Sequence, residues 1–239
     1  MHKVIGIIGG IAPPSTIDYY QKIISGFQEK GKTRQYPSIL IKSIDMTRML
    51  DYVVKKEYDA LVDYLSNEIQ KLKDGGADFA AIASNTPHIV FEQLRKKSAI
   101  PLISIVEAAL AYAKEHGFKK LGLFGTLSTM QSGFYQAGFS REGIEIITPS
   151  LESQNYIHDK YMNEFVKGMF LEETKNAFIG IILHMIKQNS IEGLILGGTE
   201  LPFILKEEDF INFKLLNTTE IHVDSILEYA MNNNNHGMK

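Results

Sequence analysis

Short apolar runs alternate with amphipathic stretches of 10–17 residues along nearly the whole chain, and this rhythm restricts the fold more than any other feature. Residues 3–8, 37–44, 79–83, 101–105, 121–124, 144–147, 193–196 and 214–216 read as strands. Residues 15–30, 58–74, 106–116, 154–166, 172–187 and 219–231 carry apolar positions at helical spacing, and a further helix follows residue 88 and runs to about 97. Strands that are apolar on both faces belong to sheets covered on both sides, and strand–helix alternation implies right-handed βαβ units in a parallel sheet. The rhythm breaks near residues 100–118 and then restarts. It predicts an α/β chain of two similar Rossmann-like lobes, 1–105 and 106–218, each a mainly parallel sheet flanked by helices, with a ligand cleft between them. The final helix, 219–231, is free to pack back on the first lobe, and residues 232–239 form a polar tail.

Two strand ends stand out. Ala83-Ser-Asn-Thr-Pro-His88 follows one apolar run, and Gly197-Gly-Thr-Glu-Leu-Pro202 follows another. In open α/β sheets, ligands bind where a strand's C-terminal end hands over to a helix, and helix N-termini there favour anions. Two such mouths in two halves of a chain predict one site gripped from both sides. Arg48, just after the second strand, is placed to pair with a carboxylate. Thr126, Ser128, Thr129 and Ser132 after the fifth strand are candidate anion-binding hydroxyls or helix caps.

Composition removes several alternatives. A net charge of −3 with no basic run interleaved with aromatics gives no electrostatic case for nucleic acid. No apolar stretch reaches the roughly 18 residues of a membrane span, so a cytoplasmic protein is expected. Seven histidines form no H-E-x-x-H or H-x-H pair, and no metal is expected. Gly6-Ile-Ile-Gly-Gly10 lacks the dinucleotide-binding spacing, and no Gly bracket makes Ser84 a nucleophile elbow. The chain has no cysteine.

Gly6-Ile-Ile-Gly-Gly-Ile-Ala-Pro13 with Thr16, the two strand ends, Pro101-Leu-Ile-Ser-Ile-Val-Glu107 and Thr218-Thr-Glu-Ile-His222 together resemble the aspartate/glutamate racemase family of cofactor-independent amino-acid racemases. The resemblance implies an isomerase, a homodimer of two pseudo-symmetric α/β lobes, no cofactor, and a small amino acid or dicarboxylate in the cleft. In that family two cysteines flank the substrate Cα and exchange its proton; here their positions are Ser84 and Gly198. A serine hydroxyl is no base near neutral pH without a partner, and glycine offers no side chain. Ser84 with His88, and Thr199 or Glu200 opposite, are therefore the nearby candidates for the missing bases. Gly10, Thr16, Arg48, Asn85, Thr86, Thr126, Thr129, Lys167 and Thr199 are the expected substrate-binding residues. The alternatives are a non-racemising carboxylate- or amino-acid-binding homologue, and a lyase or isomerase of altered chemistry.

Overall fold

The computed structural model describes residues 2–32 and 34–232. Of the tail expected at 232–239, only Asn232 lies within the described residues. Four strands, β1 (Ile5–Gly9), β2 (Ile39–Ser43), β3 (Phe79–Ile82) and β4 (Leu102–Ile103), form one parallel sheet in the order β2-β1-β3-β4. Four more, β5 (Lys120–Gly125), β6 (Glu145–Ile147), β7 (Gly193–Gly197) and β8 (Lys214–Asn217), repeat that order as β6-β5-β7-β8. The central strands β1, β3 and β7 are buried throughout, and β5 is buried from Leu121 to Gly125, which is why they read as continuous apolar runs rather than alternating ones.

In chain order the helices are α1 (Pro13–Gly31), α2 (Met46–Lys55), α3 (Tyr58–Asp74), α4 (Phe91–Lys97), α5 (Ile105–Glu115), α6 (Leu127–Gln131), α7 (Phe134–Arg141), α8 (Leu151–Asn163), α9 (Glu172–Asn189), α10 (Leu201–Ile204) and α11 (Thr218–Met231). Periodicity predicts the long ones. It does not give α2, whose buried face is only Met49 and Val53, nor α7, which carries Gly138 in its interior. The one-turn helices α6 and α10 are too short to show a period.

Each sheet has one face under a long apolar cluster and the other under two helices. The first sheet packs Leu61, Leu65 and Ile69 of α3 on one side. Tyr19, Ile23 and Phe27 of α1 with Val223, Ile226 and Leu227 of α11 cover the other. The second sheet is covered by Ile157 of α8 with Phe178 and Ile182 of α9 on one side, and by Ala109 and Ala113 of α5 with Tyr135 and Phe139 of α7 on the other. The helix that follows each sheet's last strand thus crosses to the opposite lobe: α5 leaves β4 for the second sheet, and α11 leaves β8 for the first. The two crossing helices pack on each other and lock the lobes together.

Glycine is required at the first turn. Gly10 has φ +85°, and a Cβ there would lie 2.6 Å from Ser43 Oγ and 2.7 Å from the Ile44 carbonyl oxygen. Its N–H donates to Thr16 Oγ1 at 2.8 Å, which pins the turn to α1. Pro13 and Pro14 then start the helix where a missing N–H is harmless.

Candidate active site

The loops leaving the C-terminal ends of β1, β3, β5 and β7 meet between the two sheets. Ile11 and Ala12, Ser84 and Thr86, Thr126, and Glu200 come from these four loops and line one cavity of about 30 Å³. Met46 and Leu50 of α2, Tyr161 and Met162 of α8, and Val166 close it. That volume suits a water molecule or two rather than an amino acid. Leu50, Thr86, Thr126 and Met162 also line a neighbouring cavity of about 460 Å³, into which Val53, Tyr58, Ile89, Ser128, Gln131, His158 and Lys56 project from both lobes. This second volume falls in the roughly 300–1,000 Å³ range of small-ligand pockets.

The two strand ends singled out in the sequence are equivalent in space. Ser84 follows the third strand of the first sheet and Gly198 the third strand of the second, at matching places in identical strand orders. Their surroundings differ. Ser84 is buried, and its backbone carbonyl accepts from His88 Nδ1 at 3.0 Å. On the Gly198 side stands a buried polar cluster. Tyr161 donates its phenolic hydrogen to Glu200 Oε2, and Thr199 Oγ1 lies 3.2 Å from the same oxygen. Ser15 of α1 lies 2.5 Å from Glu200 Oε1 and 2.7 Å from Thr199 Oγ1. Glu200 is 1% exposed, and among the described residues no cationic side chain pairs with it. Hydroxyl donors alone keep this carboxylate satisfied. Burial and the adjacent Glu200 hold the Tyr161 phenol well above its ordinary value, so it keeps its proton.

Gly198 lacks a side chain because Tyr161 occupies the space. A Cβ on residue 198 would stand 2.9 Å from both Cζ and Oη of Tyr161. Tyr161 is thus a site residue that sequence reasoning misses. It lies 37 residues before Gly198 in an ordinary helical pattern, and no local motif marks it.

Three threonine hydroxyls bridge the lobes. Thr86 Oγ1 is 3.1 Å from Thr126 Oγ1 and 3.5 Å from Thr129 Oγ1, and the latter two are 3.0 Å apart. Thr126 also caps α6, accepting from the Thr129 N–H at 3.2 Å.

Other expected site residues are held elsewhere. Asn85 spends its amide on the lobe interface, accepting from Tyr135 Oη at 2.6 Å and donating to Thr218 Oγ1 at 3.2 Å. His88 donates from Nδ1 to the Ser84 carbonyl at 3.0 Å and accepts the Ile105 N–H on Nε2 at 3.2 Å. Both ring nitrogens are engaged, and burial, then the nearby His222, push its pKa down to about 3. The geometry gives His88 the task of holding the loop and leaves it no free nitrogen to take a proton. Arg48 is exposed; its Nε donates to Tyr52 Oη at 3.0 Å, and its guanidinium sits 4.7 Å from the Tyr64 ring centre. Helix positions two apart do not share a face, so Met46 and Leu50 line the cavity while Arg48 between them turns away. Lys167 is exposed and does not line the cavity, although its neighbour Val166 does. Thr16 and Gly10 shape the first turn as described above. Among the described residues no group of three or more His, Asp or Glu side chains is placed to hold a metal, and no helix is long and apolar enough to cross a membrane.

Comparison with known proteins places this architecture. A profile described as Asp/Glu/Hydantoin racemase matches residues 8–226. The chain is 29% identical over 147 residues to the broad specificity amino-acid racemase RacX of Bacillus subtilis, a match covering 60% of this chain and 63% of that protein. Among solved structures, an aspartate racemase homologue from Pyrococcus horikoshii is 32% identical, with a TM-score of 0.82 over 95% of this chain and 99% of the other. A proposed Asp/Glu racemase from Yersinia pestis is 28% identical, with a TM-score of 0.86 over 95% and 99%.

Proposed function

The chain belongs to the Asp/Glu/Hydantoin racemase family, and from that premise we propose that its inter-lobe cavity binds a small amino acid and exchanges the proton on Cα. The observation that carries this reading is the convergence of equivalent loops from two sheets on one buried cavity. Inverting a Cα centre needs access to both of its faces, and a site built from two pseudo-symmetric halves supplies one half to each face.

The α-carboxylate is the group that delocalises the carbanion once the proton leaves. Thr86, Thr126 and Thr129 form a compact hydroxyl cluster, contributed by both lobes, that suits it. The ligand's side chain then extends into the larger cavity, where Ser128, Gln131 and Lys56 suit the second carboxylate of aspartate or glutamate. Because the inner cavity holds so little, binding requires Leu50 and Met162, which separate the two volumes, to move aside.

Calorimetric titration with both enantiomers of aspartate and glutamate tests the carboxylate assignment. Hydrogen bonds to charged groups are worth about 1.5–3 kcal/mol, so Thr126→Val should weaken the best ligand about tenfold or more. Arg48→Ala should leave its affinity within about twofold, since exposed groups off the site contribute little. Equal binding by Thr126→Val, or a tenfold loss in Arg48→Ala, would relocate the carboxylate.

A further inference from the structure

The two faces of the cavity are chemically unequal. From the first lobe comes Ser84, with a single hydroxyl. From the second comes Tyr161, seated in the space that a side chain on residue 198 would fill and bonded to a buried carboxylate. Resting on the proposed amino-acid chemistry of this site, we infer that Tyr161 is a catalytic residue, relaying the Cα proton to Glu200 from the face where the family's second thiol would stand.

The step balances as a double proton shift. The Cα–H bond breaks and leaves its electron pair on the substrate, delocalised into the α-carboxylate. The hydrogen joins Tyr161 Oη while the phenol's own hydrogen passes to Glu200 Oε2. One negative charge moves from Glu200 to the substrate, and no oxidant or further reactant is needed. Reversal of the same shift returns a proton to that face.

Three observations support the relay. Tyr161, Glu200 and Ser84 all line the same cavity, the first two from the second lobe and Ser84 from the first. Ser15 and Thr199 fix the carboxylate from behind, so its Oε2 stays aimed at the phenol. The phenol is also held in its protonated form, and so can act only by passing one proton on as it accepts another.

Tyr161→Phe keeps the ring and removes only the hydroxyl, so the fold survives the test; Tm confirms this. The measurement is loss of the α-proton signal of aspartate and glutamate enantiomers in heavy water, with binding measured in parallel. Positioned acid–base groups contribute about 10²–10⁴-fold, so Tyr161→Phe should slow exchange at least about a hundredfold at unchanged ligand affinity, and Glu200→Gln should do the same. Exchange by Tyr161→Phe at close to the parent rate would overturn the relay and leave the proposed function standing. A parent protein that binds these amino acids yet exchanges none of them would overturn the proposed function and the relay with it.

Discussion

Gly198→Ala is expected to lower stability by about 3 kcal/mol, a large loss for the addition of one methyl group. The backbone at Gly198 is not in the left-handed region, so the demand for glycine is one of space alone. The new methyl would meet the Tyr161 ring and hydroxyl, which are buried and tied to Glu200. Relief requires the ring to swing out and abandon that bond, leaving a buried carboxylate one donor short. Both consequences are of the order of 1–3 kcal/mol. The contact is a specific pair, so the loss should be non-additive. Tyr161→Ala alone should cost about 3–5 kcal/mol, as other large buried aromatics do. The double variant should be more stable than the sum of the two losses by about 2 kcal/mol. Urea unfolding of the four proteins measures this coupling; strictly additive losses would show that Tyr161 does not hold the space beside Gly198. A corollary follows for restoring thiols: Ser84→Cys with Gly198→Cys should be tolerated only when Tyr161 is also shortened.

Stability should fall steeply on acidification. His88 and His222 are both buried and neutral, with pKa values pushed down to about 3 and about 4 by burial, His88 also by its neighbour His222. His222 ties three elements together, accepting from Tyr19 Oη of α1 at 2.8 Å and donating to the Ile103 carbonyl of β4 at 3.0 Å from its place on α11. In the unfolded chain both rings titrate near 6.5, so below that pH the unfolded state binds two protons that the folded state refuses. Their stabilisation is therefore complete above about pH 6.5 and is lost as pH falls toward the folded values. The slope approaches about 2.7 kcal/mol per pH unit, twice the 1.36 kcal/mol of a single group. Urea midpoints at pH 7, 6 and 5 give the slope directly. His222→Asn should reduce it by about half, whatever that variant's absolute stability; an unchanged slope would mean that other groups govern acid unfolding.

The strand–helix rhythm made the two sheets and their parallel order legible, because buried central strands leave continuous apolar runs such as Phe79-Ala-Ala-Ile82. Short elements escaped for a physical reason: α2 buries just Met49 and Val53, too few positions to establish a period. That omission also misplaced Arg48. As part of a loop after β2 it could reach the cleft, but as the third residue of a helix it faces Tyr52 and Tyr64. That the loops carrying Ser84 and Glu200 line one cavity was legible, since strand ends that lead into helices form clefts wherever sheets are parallel. The roles of His88 and Asn85 were not, because a polar residue in a site loop can as readily hold the loop as touch a ligand. Tyr161 was the least legible of all. Its bearing on Gly198 is a tertiary contact between α8 and the β7 loop, and only the assembled fold brings them together.

The central claim is that this cavity removes the α-proton of an amino acid without a thiol. Proton NMR of L- and D-aspartate and glutamate in heavy water, with the protein present and against a buffer control, tests it most directly. The α-proton signal of at least one of the four should be lost, and Glu200→Gln should slow that loss at least about a hundredfold. A persistent α-proton signal from every one of them at saturating protein would contradict it.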